Sequence, residues 1–222
     1  MKHTCAGVDG CNGGWVVATR AGVHIERAIS TVIDHGYDAV AIDMPIGMPA
    51  STARQSETEA RRYLSPRGST VFPTPVRACL QATDYLDACA ISLAERGVKL
   101  SKQSYAILPK IAEVDRALTP QHTSRVAEAH PECSFVVMND ERPLATKHSA
   151  DGIAQRCALV RRHFGVEASA LRMHGLSATL DDVLDAYAML WTAERFAAGI
   201  HQTLPSNGDE FDERGLPMRI VR

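Results

Sequence analysis

The stretch that decides the fold is residues 5–43, which read CAGVDGCNGGWVVATRAGVHIERAISTVIDHGYDAVAID. Three short apolar segments separated by glycine-containing turns predict three strands: residues 5–9, 15–19 and 23–28. A short helix is expected at residues 29–35. Residues 38–43 then form an almost continuous apolar run, which is typical of a central strand buried on both faces.

Beyond residue 43 the pattern changes from strands to helices. Pro45 and Pro49 end regular strand pairing, and Pro109 is expected to kink or restart a helix. The segments predicted as helices are residues 53–64, 84–96, 102–118, 151–164 and 180–198, with one strand at residues 125–129. This order predicts an α/β fold with a mixed sheet flanked by helices. A helical insertion, about residues 50–122, follows the fourth strand, and residues 1–222 are expected to form a single domain.

Composition gives limited information about the substrate. Hydrophobic residues make up 45% of the 222 positions and charged residues 23%, as in an ordinary soluble globular protein. The formal net charge is −2. Bulk charge therefore does not identify a nucleic-acid binder, and any attraction to phosphate must be local.

The six cysteines form no C-x-x-C pair and no regular framework. Reduced thiols in a cytoplasmic protein are therefore expected, rather than disulfides or a structural zinc site. The N-terminal segment lacks the apolar core of a signal peptide, and no apolar run approaches 18 residues. These features predict a cytoplasmic protein that does not enter a membrane.

Two aspartates stand where predicted strands end. Asp9 follows the first apolar segment and Asp43 follows the fourth, and each leads directly into a glycine or proline turn. An aspartate in such a place can simply cap the turn through local hydrogen bonds. Because the two strands are expected to be neighbours, the pair together favours a ligand site at one edge of the sheet.

The late helix supplies further acids. Asp182 and Asp185 share one helix face at i, i+3 spacing, and Asp181 with Asp185 is the i, i+4 alternative. The acids of the first turn can instead serve the helix dipole. Asp185, however, lies within an apolar stretch, and acids on a partly buried face need a cation. Mg²⁺ or Mn²⁺ is the expected cofactor, because hard cations take oxygen ligands; the predicted metal ligands are Asp9, Asp43, Asp182 and Asp185.

A second group of polar residues follows the strand predicted at residues 125–129. With period-2 alternation Glu128, His130 and Glu132 share a face until Pro131 disturbs the strand. This face is either exposed or part of the site. Glu128 and Glu132 are accordingly candidate catalytic acids, whereas the acids of residues 113–115 are expected on a solvated helix face.

A series of motifs resembles one known family over almost the whole chain, from about residue 5 to 220. The motifs are GVDGCNGGWVVA, AIDMPIGMP, ARRYLSPRGSTVFPTPVR, LSKQSYAILPKIAEVD, EAHPECSF and DDVLDAYAMLWTA, in this order. The series is similar to the domain-of-unknown-function family 429 (DUF429), described as predicted ribonuclease H-like nucleases. The resemblance implies a ribonuclease H-like fold and nuclease activity, with essential acids on the first strand, the fourth strand and a late helix.

Asp9, Asp43 and the pair Asp182 and Asp185 match those places, and the Asp-x-x-Asp-Ala ending is similar to the resolvase branch that cleaves Holliday junctions. The helical insertion has no counterpart in the minimal fold. Substrate recognition therefore does not carry over from the superfamily.

The insertion is locally basic. Between residues 50 and 112 there are nine Lys or Arg residues and five acids. Arginine and hydroxyl contacts to phosphate, with a base stacked on an aromatic ring, would suit a nucleic-acid strand. Alternatively, the aromatic ring is core and the arginines are solvated. The candidate substrate-binding residues are Arg67, Ser69, Phe72 and Arg77, together with Lys147, which is expected to bring positive charge near the acids.

The expected function is metal-assisted hydrolysis of phosphodiester bonds in nucleic acid. The candidate catalytic residues are Asp9, Asp43, Glu128, Glu132, Asp182 and Asp185. The alternatives are a small phosphate-ester hydrolase and a non-catalytic protein that retains the fold. A phosphotransferase of the sugar-kinase and actin-like group is disfavoured by chain length. Thiol catalysis by Cys11 is disfavoured because neighbouring acids raise a thiol pKa.

Overall fold

The computed structural model describes residues 3–167 and 178–222. Contacts within the chain define two compact units, which are described separately. The sheet unit consists of Met1–Asp43, Arg125–Gln202 and Val221–Arg222. The helical unit consists of Met44–Ser124 and Thr203–Ile220. Most of the helical unit is thus the insertion expected after the fourth strand.

The sheet unit is built on a five-stranded mixed sheet. Its strands are β1 (Cys5–Cys11), β2 (Gly14–Thr19), β3 (Gly22–Glu26), β4 (Ala39–Ile42) and β5 (Val126–Glu128). The order across the sheet is β3-β2-β1-β4-β5. β1 pairs antiparallel with β2 and parallel with β4, and β4 pairs parallel with β5. The predicted mixed α/β sheet is confirmed, and it agrees with the ribonuclease H-like description.

Eight α-helices lie in the described part of the chain. They are α1 (Ile29–Asp34), α2 (Gln55–Tyr63), α3 (Tyr85–Arg96), α4 (Lys102–Ala106), α5 (Leu108–Ala117), α6 (Pro131–Met138), α7 (Ala150–Phe164) and α8 (Leu180–Ala197). Two short strands, β6 (Thr203–Leu204) and β7 (Ile220–Val221), pair with each other. The restart predicted at Pro109 is confirmed, because Pro109 lies in the first turn of α5, directly after α4 ends.

The turn between β1 and β2 shows how the sequence specifies this sheet. Cys11 pairs with Gly14, which leaves only Asn12 and Gly13 in the turn. Gly13 has a φ of 82°, a value that favours glycine. Asn-Gly is the preferred sequence for such a two-residue hairpin. The β1–β2 hairpin is therefore specified by the two residues of its turn.

Helix α8 packs directly against the centre of the sheet. A Cβ atom added to Gly7 of β1 would lie 1.9 Å from the Leu190 backbone nitrogen and 2.1 Å from the Ala186 carbonyl oxygen. Ala39 and Ala41 of β4 are also small and buried in the same core. Small side chains on this face of the sheet therefore allow the helix to approach closely.

One helix of the sheet unit differs from expectation. The sequence predicts that Pro131 bends a strand carrying Glu128, His130 and Glu132. In the structure β5 ends at Glu128, and Pro131 begins α6. Proline is favoured in a first helical turn because its missing N–H has no intrahelical partner there. The prediction that these three residues alternate along one strand is therefore wrong.

All six cysteines lie in the described part of the chain and none is in a disulfide. Five are buried and Cys157 on α7 is half-buried. Burial is the main cause that raises the pKa of Cys5 to about 11 and that of Cys133 to about 12. No helix among the residues described is long and apolar enough to cross a membrane.

Candidate active site

Asp9 and Asp43 leave neighbouring parallel strands at the same level. The register pairs Val8 with Ile42, and the Asp43 amide donates to the Val8 carbonyl oxygen at 2.9 Å. Side chains alternate along a strand, so Asp9 points to the same face as Gly7. That is the face on which α8 packs. Asp43 holds the equivalent position after β4, because Gly7 pairs with Ala41 and Val8 with Ile42. Both carboxylates therefore point to the face of the sheet on which α8 packs.

Helix α8 supplies the third carboxylate. Its residues from Val183 to Leu190 are all buried, and Asp185 lies within this run with 6% of its surface exposed. A helix that is buried on all sides is expected at the centre of a fold, but an aspartate within it is not. We refer to Asp9, Asp43 and Asp185 as the carboxylate cluster.

The charges of the cluster interact strongly. Burial, followed by the charges of Asp43, Asp185 and Asp182, raises the pKa of Asp9 well above its ordinary value. Burial and the charge of Asp185 do the same to the pKa of Asp43. Burial raises the pKa of Asp185 to about 6, against the opposing effect of Lys147. Each negative charge therefore makes the others more costly in the absence of a cation.

Lys147 contributes a positive charge to this site. Its Nζ lies 2.9 Å from Asp185 Oδ2 and 4.0 Å from Asp181 Oδ2. Its charge also lowers the pKa of Asp43, so it acts on two members of the cluster. The sequence-based expectation that Lys147 brings positive charge near the acids agrees with this geometry.

Asp182 has a structural task at the start of α8. Its carboxylate accepts from the Thr179 amide at 2.7 Å, and the Thr179 hydroxyl accepts from the Asp182 amide at 3.2 Å. This reciprocal pair is a capping box. Because the charge of Asp182 also raises the pKa of Asp9, Asp182 lies near the cluster as well as capping the helix.

Glu132 is paired with a buried arginine. The guanidinium of Arg156 donates through Nη2 to both Glu132 oxygens, at 2.6 and 2.7 Å. Arg156 is 2% exposed. This bidentate pair neutralises Glu132 and leaves it ill-suited to serve as a further metal ligand.

The register of β5 directs Glu128 toward the opposite face of the sheet from Asp43. The register pairs it with Ile42, the residue before Asp43, so strand alternation directs Glu128 away from the face of Asp43. Its charge still contributes to the raised pKa of Asp43. The structure therefore places Glu128 near the cluster without aligning it with Asp9 and Asp43.

The donor set suits a hard divalent cation. Carboxylate oxygens are the ligands that Mg²⁺ and Mn²⁺ prefer, and buried like charges with raised pKa values are stabilised by a cation. Within residues 3–167 and 178–222, no group of three or more His, Cys, Asp or Glu side chains is arranged so that it could hold a metal ion. Asp9, Asp43 and Asp185 therefore have the donor atoms that such a metal prefers without forming a ready metal site, and the salt bridge from Lys147 engages one of the donors.

Arg77 belongs to an ion-pair network within the helical unit. Its Nη1 lies 2.9 Å from Asp115 Oδ2, its Nη2 contacts Asp212, and its Nε lies 3.2 Å from Glu213 Oε1. Asp115 is buried and also binds Arg214 at 2.8 Å. The expectation of a solvated Asp115 is therefore wrong, and Arg77 has a structural role that competes with phosphate binding.

The other candidate substrate residues lie on a loop of the helical unit. Ser69 is exposed, and Phe72 has 43% of its surface exposed, so Phe72 is not a core residue. Arg67 is half-buried, and its Nη1 has no hydrogen-bond partner among the residues that the structure covers. Of these residues, Ser69 and Phe72 are exposed to a ligand, whereas Nη1 of Arg67 is buried.

Arg156 was not identified from the sequence, although a signal was present. The buried positions of α7 are Gly152, Arg156, Leu159 and Val160. Their i, i+4, i+7, i+8 spacing marks one apolar helix face. A charged residue on such a face needs a buried partner, and Glu132 provides it.

Comparison with known proteins yields one match. No curated protein and no solved structure matches the chain. One protein family, described as "Protein of unknown function (DUF429)", matches residues 7–210. The matched range includes every member of the carboxylate cluster.

Proposed function

We propose that this chain, which belongs to the DUF429 family, is a divalent-metal-dependent hydrolase of phosphodiester bonds in nucleic acid. The observation that carries the proposal is the carboxylate cluster. Asp9 and Asp43 leave adjacent parallel strands toward the face on which α8 packs, and α8 carries Asp185. Asp9 and Asp185 are buried and Asp43 is half-buried, and like charges in such a place need a cation.

The carboxylates would hold Mg²⁺ or Mn²⁺ through their oxygens. The bound ion would polarise a phosphoryl oxygen and lower the pKa of a water molecule, which are the needs of phosphodiester hydrolysis. Asp9 is held for this task by its own backbone, because the Gly10 amide donates to Asp9 Oδ1 at 2.7 Å. The ammonium of Lys147 reduces the negative charge that an incoming phosphate meets.

Nucleic acid is the substrate class that the motif resemblance and the loop of Arg67, Ser69 and Phe72 favour. The nearly neutral charge of the helical unit, in contrast, is compatible with a small phosphate ester as substrate. Over residues 44–124 and 203–220 there are twelve basic and eleven acidic side chains. The acids near the C-terminus, including Asp212, offset the basic surplus of residues 50–112. A small phosphate ester therefore remains the second candidate substrate.

The test combines metal binding with cleavage. Mn²⁺ and Mg²⁺ are titrated by calorimetry into the wild type and the Asp9→Asn/Asp185→Asn double variant, and a panel of DNA, RNA and small phosphate esters is assayed with both. Asp34→Asn is the matched control, because Asp34 is an exposed aspartate at the end of α1. We expect binding and cleavage in the wild type and the control but not in the double variant. Wild-type protein that binds neither metal, with substrate present, would overturn the proposal.

A further inference from the structure

Lys147 forms a salt bridge with one member of the carboxylate cluster. Its Nζ contacts Asp185 Oδ2 at 2.9 Å, and Asp181 Oδ2 lies 4.0 Å away. Asp185 has only 9% of its side chain exposed, so this oxygen has little access to water. Asp185 therefore has a protein cation as a partner before any metal arrives.

The backbone that carries Lys147 is held tightly by the start of α7. A Cβ atom added to Gly152 would lie 2.0 Å from the Thr146 carbonyl oxygen, so the chain on either side is in close contact. The Ala145 amide donates to Gln155 Oε1 at 2.7 Å. The lysine is thus presented by an anchored segment, while its flexible side chain can move.

The anchor includes the buried Glu132–Arg156 pair. Nη1 of Arg156 donates to the Ala145 carbonyl oxygen at 3.1 Å, while Nη2 binds Glu132. Glu132 is therefore linked through Arg156 to the segment that carries Lys147. The catalytic role predicted for Glu132 from the sequence stays a prediction, and this link suits the residue to a positioning role.

We propose that Lys147 is an exchangeable counter-ion, whose ammonium neutralises Asp185 in the metal-free protein and leaves it when a divalent cation binds. The inference rests on the proposed metal-dependent function. Two cations within about 4 Å repel each other strongly in a site of low dielectric constant. The ammonium and the metal ion therefore cannot share the same Asp185 oxygen. Glu132 and Arg156 are positioning residues that keep the lysine within reach of the cluster.

The test measures the affinity of the protein for Mn²⁺ alone, by calorimetry and by the electron paramagnetic resonance signal of the free ion. Lys147→Met keeps an unbranched side chain only one atom shorter than lysine and removes the charge. We expect it to bind Mn²⁺ at least about tenfold more tightly than the wild type. Lys147→Arg, which retains the charge, should bind no more tightly than the wild type. Lys99→Met is the control, because Lys99 is an exposed lysine of the helical unit.

Arg156→Met provides a further test of the positioning role. Loss of the guanidinium releases the Ala145 carbonyl oxygen, so Lys147 should be held less firmly and Mn²⁺ should bind more tightly than in the wild type. In the double variant Arg156→Met/Lys147→Met, the Arg156 substitution should add nothing further. If the effects of the two substitutions on Mn²⁺ affinity are instead additive, Arg156 acts independently of Lys147 and the positioning role is overturned.

The outcomes separate this inference from the proposed function. If the wild type binds Mn²⁺ and Lys147→Met binds it equally or less tightly, the exchange is overturned and the metal-dependent function stands. If the wild type binds Mn²⁺ weakly and Lys147→Met tightly, both stand. If neither protein binds Mn²⁺, both are overturned. Should Lys147→Met fail to fold, Lys147→Gln replaces it, with circular dichroism as the check.

Discussion

At the scale of single residues, burial and the charges of neighbouring aspartates determine the pKa of Asp9. The pKa of Asp9 in the folded protein lies well above the ordinary value of 3.8. Folding therefore favours the protonated form, and the ionised form costs stability that grows as pH rises above 3.8. In Asp9→Asn this cost is absent, while the amide oxygen can still accept from the Gly10 amide.

We therefore expect metal-free Asp9→Asn to melt at a higher temperature than the wild type at pH 8 and at nearly the same temperature at pH 4. Each kcal/mol corresponds to roughly 2–4 °C for a chain of this size. Calorimetric melting curves from pH 4 to pH 8 measure the difference, with Asp34→Asn as control. A lower melting temperature for Asp9→Asn at pH 8 would show that its carboxylate is stabilised by a partner.

Arg77 allows a second prediction at this scale. Its side chain is 16% exposed and pairs with Asp115 and Asp212, which are more deeply buried. Removal of one partner from a buried ion pair leaves uncompensated charge. We expect Arg77→Met to lower the free energy of unfolding by about 3 kcal/mol.

Urea titration followed by circular dichroism measures the effect. The control is Arg62→Met, because Arg62 is exposed and a surface substitution of this kind should cost less than about 0.5 kcal/mol. If Arg77→Met has unchanged stability but binds an oligonucleotide more weakly, Arg77 is a substrate-binding residue, as the sequence predicts, and not a structural one.

The sequence located the acids of the cluster but not the partners of the other charges. Asp9 and Asp43 could be identified because apolar strands end at them, and Asp185 because it interrupts an apolar helix. The partners of Glu132 and Arg77 lie 24 and 135 positions away. Sequence patterns over a few residues do not reveal contacts at such separations. An acid that forms a salt bridge therefore cannot be distinguished in the sequence from an acid of the candidate active site.

At the scale of secondary structure elements, the contact between β1 and α8 is the most sensitive to substitution. The Cβ of an alanine at position 7 would overlap backbone atoms of Leu190 and Ala186, which cannot move without displacing the helix. We expect Gly7→Ala to cost about 3 kcal/mol of unfolding free energy or more. The displaced helix also carries Asp185, so Mn²⁺ affinity should fall.

A second glycine, Gly165, serves as a control that distinguishes the cost of steric crowding from the cost of backbone conformation. Gly165 follows α7 with a φ of 71° and has open space where a Cβ would lie. Gly165→Ala should therefore cost only about 1–2 kcal/mol, from the left-handed backbone alone. Denaturant unfolding of both variants makes the comparison. Equal costs would contradict a steric limit at Gly7.

Elements with a clear period or turn could be predicted, and α6 could not. Helix α7 has a buried stripe at helical spacing, and the Asn12-Gly13 turn fixes the first hairpin. In α6, by contrast, Pro131, Glu132, Cys133, Ser134 and Phe135 are all buried. A short helix buried on most sides has no polar face, so its sequence carries no 3.6-residue period.

At the scale of the whole molecule, the distribution of charge limits how nucleic acid can be bound. The net charge is −2, and the helical unit is nearly neutral. If about two phosphates are contacted, affinity for a single-stranded oligonucleotide should fall only about sevenfold between 50 and 200 mM salt. Fluorescence anisotropy in Ca²⁺-free and Mg²⁺-free buffer measures this dependence. A fall of about a hundredfold or more would indicate an extended basic surface.

The mixed sheet followed from local patterns, but the composition of the helical unit did not. Residues 203–220 join residues 44–124 in that unit. Asp212 from this late segment binds Arg77 and accepts from the Met48 amide at 3.1 Å. The basic surplus counted over residues 50–112 therefore overstated the positive charge of the unit.

The distribution of the cysteines has a practical consequence. Cys157 is the one thiol that is not fully buried, and it lies next to Arg156 on α7. Because burial raises its pKa, mildly alkaline conditions would favour its alkylation. A fluorophore or spin label can therefore be attached at one position without removing the other five cysteines. Such a label would lie on α7, the helix whose Arg156 binds the Ala145 carbonyl oxygen in the segment that carries Lys147.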